Sequence, residues 1–180
     1  MSFNKNLIDS FVNITSKAAI SCFEYLGKKD KNLADKAATD EMRKNLNLLD
    51  IDGKVVIGEG ELDEAPMLYI GEKIGTKNGP NIDIAVDPLE GTNFAAFDLP
   101  GALSVIAIAE KNNLFKAPET YMEKISANVR EKEVVDLDYS IKKNIGNLSD
   151  YLNKKPEDLT ACIMDRPRHK SIIKELNNLK

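Results

Sequence analysis

The sequence predicts a layered α+β fold in which helices lie against a mixed β-sheet. Two amphipathic helical segments open the chain, and short β-branched runs separated by glycine follow them. A final strand–helix pair ends the chain. Eight of the ten glycines lie between residues 53 and 101, where most of the strands are expected. Helices first, strands next and a strand–helix pair last favour layers of helix and sheet around one core.

The first two helices are predicted from apolar side chains that recur near a 3.6-residue period. One helix is expected over residues 4–26, with Gly27 as its stop. The other is expected from about Leu33 to Leu49, with Asp30 or Asn32 as its N-cap. The apolar faces consist of Leu7, Phe11, Ile14, Ala18, Cys22 and Tyr25 in the first helix and of Ala34, Ala37, Ala38, Met42 and Leu46 in the second.

Strands and further helices are predicted along the rest of the chain, after a turn at residues 50–53. Residues 54–57, 82–86 and 102–109 are interpreted as strands, and 111–113 as a turn into a short strand at 114–116. Further strands are expected at 133–137 and 159–164, helices at 121–125, 141–152 and 170–179, and a short turn or helix from Pro156.

The final strand–helix pair indicates an unfinished unit of strand, helix and parallel strand. A strand followed by a helix normally leads to another parallel strand, but here the chain stops at Lys180. We therefore expect residues 1–180 to be one N-terminal domain, with a second αβ subdomain possible from about residue 156. The alternative is a protein that ends with an exposed helix.

Composition limits the classes of function. With 42% apolar residues, 30% charged residues and a net charge of −4, the chain is typical of globular proteins and does not suggest nucleic acid as a partner. The N-terminus lacks an apolar signal core, and no window approaches the ~20 apolar residues of a membrane span. We therefore expect a cytoplasmic protein without membrane contact, in which Cys22 and Cys162 are reduced, buried thiols.

The first chemical signal is an acidic, glycine-flanked segment at residues 58–64, directly after a predicted strand. It carries four carboxylates, those of Glu59, Glu61, Asp63 and Glu64, which repel one another unless a divalent cation lies among them. Open α/β sheets place their ligands at such strand ends. A solvated acidic loop is the alternative interpretation.

The second signal, residues 84–92, is more specific. A strand ends in Asp87, Pro88 stiffens its exit, and Glu90 follows three residues later, so that both carboxylates can point into one site. Oxygen ligands of this kind suit Mg²⁺ or Mn²⁺. Gly91 permits close approach of a phosphate, and Thr92 supplies a hydroxyl before N–H groups that open a helix. The alternative is an Asp-Pro turn with a coincidental glutamate.

Together these segments resemble the lithium-sensitive, metal-dependent phosphatases, a superfamily that includes inositol monophosphatases and fructose bisphosphatases. The chain is most similar to class II fructose-1,6-bisphosphatase, and the similarity covers nearly its whole length. The motifs that carry it are KDKNLAD at 29–35, VVIGEGELDEAPMLYIGEKIG at 55–75, DIAVDPLEGTN at 83–93, APETYMEK at 117–124 and RPRH at 166–169.

The resemblance implies specific roles. The positions that match metal ligands are Asp35, Glu59, Asp87 and Glu90, and those that match catalytic residues are Asp63 and Thr92. Substrate contacts are implied for Glu90, Gly91, Thr92, Tyr121, Arg166, Pro167 and Arg168, with Lys31 a weaker candidate.

The resemblance further implies Mn²⁺- or Mg²⁺-dependent hydrolysis of fructose 1,6-bisphosphate, with a homo-oligomer as the assembly. It implies the layered fold of sugar and inositol phosphatases with the C-terminal half missing, since the family is nearly twice as long. Two alternatives stay open. One is another sugar or inositol phosphatase of the superfamily, and the other is a metal-binding remnant without turnover.

Overall fold

A computed structural model describes residues 3–58, 68–116 and 122–179 of the chain. The chain divides into two compact units, Met1–Pro118 and Glu119–Lys180. The second subdomain expected from about residue 156 stays a prediction. Among the described helices, none combines the length and the apolar character that crossing a bilayer requires.

Two packed helices form one layer of the first unit. Helix α1 spans Lys5–Phe23 and is capped by the Asn4 side chain, which accepts the N–H of Leu7. Helix α2 spans Lys31–Leu46, and its predicted cap Asp30 accepts the N–H groups of Asn32 and Leu33. Most of the predicted apolar faces are confirmed as buried, namely Phe11, Ile14, Ala18 and Cys22 in α1 and Ala34, Ala38, Met42 and Leu46 in α2.

The second layer is a mixed four-stranded sheet in the order β2-β1-β3-β4. The strands are β1 at Asp52–Ile57, β2 at Lys73–Ile74, β3 at Asn81–Glu90 and β4 at Leu103–Glu110. Only β1 and β3 are parallel. The α+β class and the three longer strands are confirmed, whereas the two-residue β2 has no sequence signal of its own.

Both helices lie on one face of the sheet. Alternate side chains of β3, those of Ile82, Ile84 and Val86, join the buried cluster that the helices form. Leu103 and Val105 of β4 are on the opposite face, where they are 59% and 43% exposed. Helix α3, Thr92–Ala96, follows β3 and packs against α2.

The described part of the second unit contains two α-helices, α4 at Ile141–Leu152 and α5 at Lys170–Asn177, which pack together. Pro156–Asp158 and Pro167–His169 form short 3₁₀ turns, as expected of proline at a helix start. His169 occupies the N-cap position of α5, and its Nδ1 donates to the carbonyl of Met164 at 2.7 Å.

Some sequence predictions are wrong. Residues 114–116, 133–137 and 159–164 are not strands, and 122–125 is not helical. Apolar and β-branched composition favours a strand only where a ladder partner is present, and these segments have none within the described part of the chain. Cys162 was expected to be buried but is exposed, because segment 159–164 is not covered as a sheet strand would be.

Candidate metal and phosphate site

The carboxyl ends of β1 and β3 lie at one edge of the sheet. The two strands run parallel, with Val55 opposite Ile84 and Ile57 opposite Ala85, so that one extra residue of β1 is accommodated just before the edge. Open α/β sheets bind ligands at this kind of edge. The predicted residues Glu59 and Asp63 follow β1 in sequence but lie outside the described residues.

Asp87 and Glu90 lie on the same face of β3 because of a β-bulge. Asp87 is opposite Val105 and Glu90 is opposite Leu103, so three steps along β3 match two steps along β4. Residues two apart on β4 share a face, and their partners therefore do so as well. Pro88 is buried in this bulge, where its missing N–H does not interrupt a regular ladder.

Gly91 turns the chain from β3 into α3. Its backbone is left-handed, with φ of 80°, and an added Cβ would lie 2.8 Å from Cδ2 of Phe94. The Gly91 carbonyl accepts the N–H of Phe94 at 2.8 Å, which opens the short helix at Thr92. The predicted helix start is thus confirmed, and it places Thr92 two residues beyond Glu90.

Asp35 is a half-buried residue of α2 that lies next to two fully buried alanines on the helix, Ala34 and Ala38. Its Oδ1 is buried and has no hydrogen-bond partner. Desolvation by burial raises the pKa of this carboxyl group. Helix α2 packs against β3 and α3, whereas Asp87 and Glu90 share a face with their partners Val105 and Leu103, on the side of the sheet opposite the helices. An unsatisfied carboxylate oxygen in such a place fits a ligand for a divalent cation.

The complete set of four metal-binding carboxylates stays a prediction. Within residues 3–58, 68–116 and 122–179, no three His, Cys, Asp or Glu side chains converge closely enough to hold an ion. The structure describes Asp35, Asp87 and Glu90 of the set, and Glu59 is outside the described residues.

The described residues on either side of 59–67 lie close to β1. A Cβ added to Gly58 would lie only 2.1 Å from the carbonyl oxygen of Leu68, so the backbone approaches closely at this point. The N–H of Val55 donates to the backbone carbonyl of Glu72 at 2.9 Å, and the carbonyl of Val55 accepts the N–H of Gly71 at 2.8 Å. The glycine at position 58 is therefore needed for close packing at the strand end.

The predicted phosphate-binding arginines lie in an exposed turn of the second unit. Arg166 precedes Pro167, donates its N–H to the Met164 carbonyl at 3.0 Å and accepts the N–H of His169 at 2.8 Å. Arg166, Pro167 and Arg168 are all exposed. The remaining predicted substrate contact, Tyr121, lies outside the described residues.

Comparison with known proteins decides the family. Residues 5–180 match the family model described as "Bacterial fructose-1,6-bisphosphatase, glpX-encoded". The chain belongs to this fructose-bisphosphatase family.

Curated relatives of the fructose-bisphosphatase family are closely similar. The class 2 fructose-1,6-bisphosphatase 1 of Escherichia coli is 45% identical over 97% of this chain and 52% of its own length. The class 2 enzyme of Haemophilus influenzae is 43% identical over 98% of this chain and 53% of its own. A class 2 fructose 1,6-/sedoheptulose 1,7-bisphosphatase from a Synechococcus species is 47% identical, over 96% and 52% respectively. The chain thus spans about half the length of the fructose bisphosphatases that it matches.

Proposed function

We infer that this chain serves the metal-dependent hydrolysis of fructose 1,6-bisphosphate to fructose 6-phosphate and inorganic phosphate, a reaction of gluconeogenesis. The observation that carries this proposal is the family match across residues 5–180. The relatives from Escherichia coli and Haemophilus influenzae are both named as class 2 fructose-1,6-bisphosphatases. We expect the protein to act in the cytoplasm and as a homo-oligomer.

The proposed ligands for Mn²⁺ or Mg²⁺ are the carboxylates of Asp35, Glu59, Asp87 and Glu90. The unsatisfied Oδ1 of Asp35 and the shared face of Asp87 and Glu90 support this choice. When bound, a divalent cation supplies charge neutralisation at the phosphate and lowers the pKa of water. The carboxylates hold that charge in place and set the direction from which the phosphate can enter.

Side chains and backbone groups of the protein orient the attacking water and the phosphate. In our proposal the Thr92 hydroxyl and the Asp63 carboxylate hold the attacking water in line, and Asp63 accepts its proton. Gly91 lets a phosphate oxygen approach the backbone, since it has no side chain. In the second unit, the guanidinium groups of Arg166 and Arg168 suit a sugar phosphate, with Pro167 fixing their turn. Tyr121 is proposed as a further substrate contact.

Sedoheptulose 1,7-bisphosphate is a second candidate substrate. The Synechococcus relative, 47% identical to this chain, is named for both bisphosphates. The two sugars carry the same phosphorylated 1-position, so a site that reads this end would accept either. Phosphate release from each sugar, compared at equal concentration, separates the two preferences.

A non-catalytic, metal-binding role is the alternative from another class. The chain spans about half the length of the curated relatives. In this alternative the carboxylates bind Mn²⁺ but no phosphate is released. The alternative therefore differs from the first proposal in turnover and not in metal affinity.

The decisive experiment measures both quantities on the 180-residue chain. Phosphate release from fructose 1,6-bisphosphate is followed with Mn²⁺ and with chelator, and Mn²⁺ affinity is measured by titration calorimetry. Glu90→Gln should lower the affinity at least about tenfold, and it should abolish release. The same substitution at the exposed Glu24, at the end of α1, is the matched control.

The outcomes separate the proposals. Metal-dependent release that Glu90→Gln abolishes and Glu24→Gln leaves intact supports catalysis. Mn²⁺ binding without release supports the non-catalytic alternative. If the chain binds no Mn²⁺, or if both variants bind it equally, the assignment of Glu90 as a ligand is wrong.

A further inference from the structure

Thr39 is a buried polar residue in the middle of α2 whose hydroxyl has no protein partner. The residue is 2% exposed, and its Oγ1 forms no hydrogen bond. A helical threonine commonly donates to a carbonyl one turn earlier, but this one does not. Buried hydroxyl groups are almost always satisfied, so an unsatisfied one needs an explanation. Sequence reasoning missed Thr39, which is an isolated polar residue on an apolar helix face.

Asp35 lies one helical turn before Thr39. Residues four apart on a helix are neighbours on one face, with Cβ atoms about 5–6 Å apart. The Oδ1 atom of Asp35 is also buried and also lacks a hydrogen-bond partner. Two unsatisfied polar atoms therefore occur on adjacent turns of the same helix, and one water molecule bonded to both would satisfy them.

The unsatisfied atoms of Asp35 and Thr39 are an exception among the buried polar groups of α2. Asn45 is the other buried polar residue of α2, and all of its side-chain atoms bond. Its Oδ1 accepts Lys17 Nζ at 2.7 Å, and its Nδ2 donates to the Glu41 carbonyl and to Glu41 Oε1, at 2.8 and 2.7 Å. Within α2, unsatisfied buried side-chain atoms are therefore confined to the turn that carries Asp35 and to the next one.

We propose that Thr39 is a positioning residue for metal binding: its hydroxyl, through one bridging water, orients the carboxylate of Asp35 toward the divalent cation. This inference rests on the proposed function, in which Asp35 is a metal ligand. Groups that orient a ligand in this way typically change metal affinity by about 10–100-fold when they are removed. Thr39 itself does not touch substrate or the reacting atoms.

The test compares Mn²⁺ affinity and metal-free stability in matched variants of the 180-residue chain. Thr39→Val removes the hydroxyl at nearly constant shape, and it should weaken Mn²⁺ binding about tenfold. Thr39→Ser retains the hydroxyl and should bind nearly as well as the original chain. Thr15→Val is the control, since the Thr15 hydroxyl is on α1 and donates to the Val12 carbonyl.

A double-mutant cycle shows whether Thr39 acts through Asp35. In an Asp35→Asn background, which should itself weaken Mn²⁺ binding, adding Thr39→Val should cause no further loss. The melting temperature of metal-free Thr39→Val should not fall, because the hydroxyl bonds to no protein group. A fall would assign Thr39 to the packing of α2 and overturn the proposal.

The failure of this inference differs from failure of the proposed function. If Asp35→Asn weakens Mn²⁺ binding but Thr39→Val does not, only the role of Thr39 is wrong. An additional loss of Mn²⁺ affinity from Thr39→Val in the Asp35→Asn background also overturns the proposed role of Thr39. If Asp35→Asn leaves Mn²⁺ binding unchanged, Asp35 is not a ligand, and both proposals fail at that residue.

Discussion

Arg43 of α2 forms a bidentate ion pair with Glu72, which lies in the turn before β2. Nε lies 2.7 Å from Oε1 and Nη2 lies 3.2 Å from Oε2, and the side chains are only 19% and 13% exposed. Glu72 Oε2 also accepts the N–H of Tyr69 at 3.2 Å. Glu72 and Tyr69 belong to the turn that precedes β2. The ion pair therefore fastens this turn to α2.

Breaking this pair should destabilise the first unit. Glu72→Gln removes the charge that pairs with the Arg43 guanidinium in a mostly buried place, and we expect a loss of about 3 kcal/mol in the free energy of unfolding. Urea denaturation followed by circular dichroism measures it. The matched control is Asp40→Asn, which breaks the exposed pair with Lys36 and should cost at most about 0.5 kcal/mol. Equal losses in the two variants would contradict the structural role of Glu72.

Gly58→Ala should destabilise the chain through a steric clash. The new Cβ would lie 2.1 Å from the Leu68 carbonyl oxygen and 2.7 Å from Cγ1 of Val55, so the backbone must move. We expect a cost of more than about 2 kcal/mol and a lower melting temperature.

The helical Gly146 provides the opposite case for the same substitution. A Cβ at this position meets nothing within 4 Å, and Gly146 lies inside α4. Gly146→Ala should therefore stabilise α4 by about 0.5–1 kcal/mol.

A Gly58→Ala variant as stable as the original chain would show that the close approach of Gly58 to Leu68 is wrong.

The stability of the metal-free protein should depend on pH through Asp35. Burial raises the pKa of this carboxyl group, so the folded chain holds the proton more tightly than the unfolded chain does. The resulting stabilisation is fully present below the unfolded pKa of about 3.9 and is lost as pH rises through the higher folded pKa. At pH 7 the ionised, desolvated carboxylate lowers the free energy of unfolding.

Asp35→Asn should remove this destabilisation. With chelator present, the variant should melt at a higher temperature than the original chain at pH 7, and the difference should shrink as pH falls toward 4. Asp9→Asn, at an exposed site on α1, is the control and should show no such trend. A melting temperature for Asp35→Asn that is unchanged or lower at pH 7 would contradict the prediction.

The two thiols should differ in reactivity. Cys22 is buried, its Sγ donates to the Ala19 carbonyl at 3.1 Å, and burial raises the pKa of its thiol. Because the thiolate is the reactive form, Cys22 should resist a disulfide reagent at pH 8 while the exposed Cys162 reacts rapidly. The absorbance of the thiolate released from the reagent gives the number of rapidly reacting cysteines.

Cys162→Ala should abolish the fast phase, and adding denaturant should then expose Cys22. Two fast thiols in the folded chain would show that the α1 core opens readily or that Cys22 is misplaced.

Local signals predicted the helices of this chain well. The cap Asp30 and the regular apolar periods act within a few residues, so helices α1, α2 and α4 could be found from sequence. Strands depend on distant partners. Residues 159–164 have strand-like composition but no ladder, while β2 has two residues and forms only because β1 lies beside it.

The candidate site divides in the same way. The spacing of Asp87, Glu90 and Gly91 indicated a turn that presents two carboxylates together, and the register of β3 and β4 places both on one face. Thr39 could not be identified from sequence, because its interest lies in a hydroxyl that is buried without a partner. Burial of a single atom depends on tertiary packing and leaves no periodic trace in the sequence.

The β-bulge of β3 has a consequence for how sites of this kind are searched for in other proteins. A search that assigns faces by odd and even positions along a strand would put Asp87 and Glu90 on opposite sides and reject the pair. One extra residue on the strand reverses that assignment. Search patterns for acidic pairs at strand ends should therefore accept an odd separation wherever a proline stands between the two carboxylates.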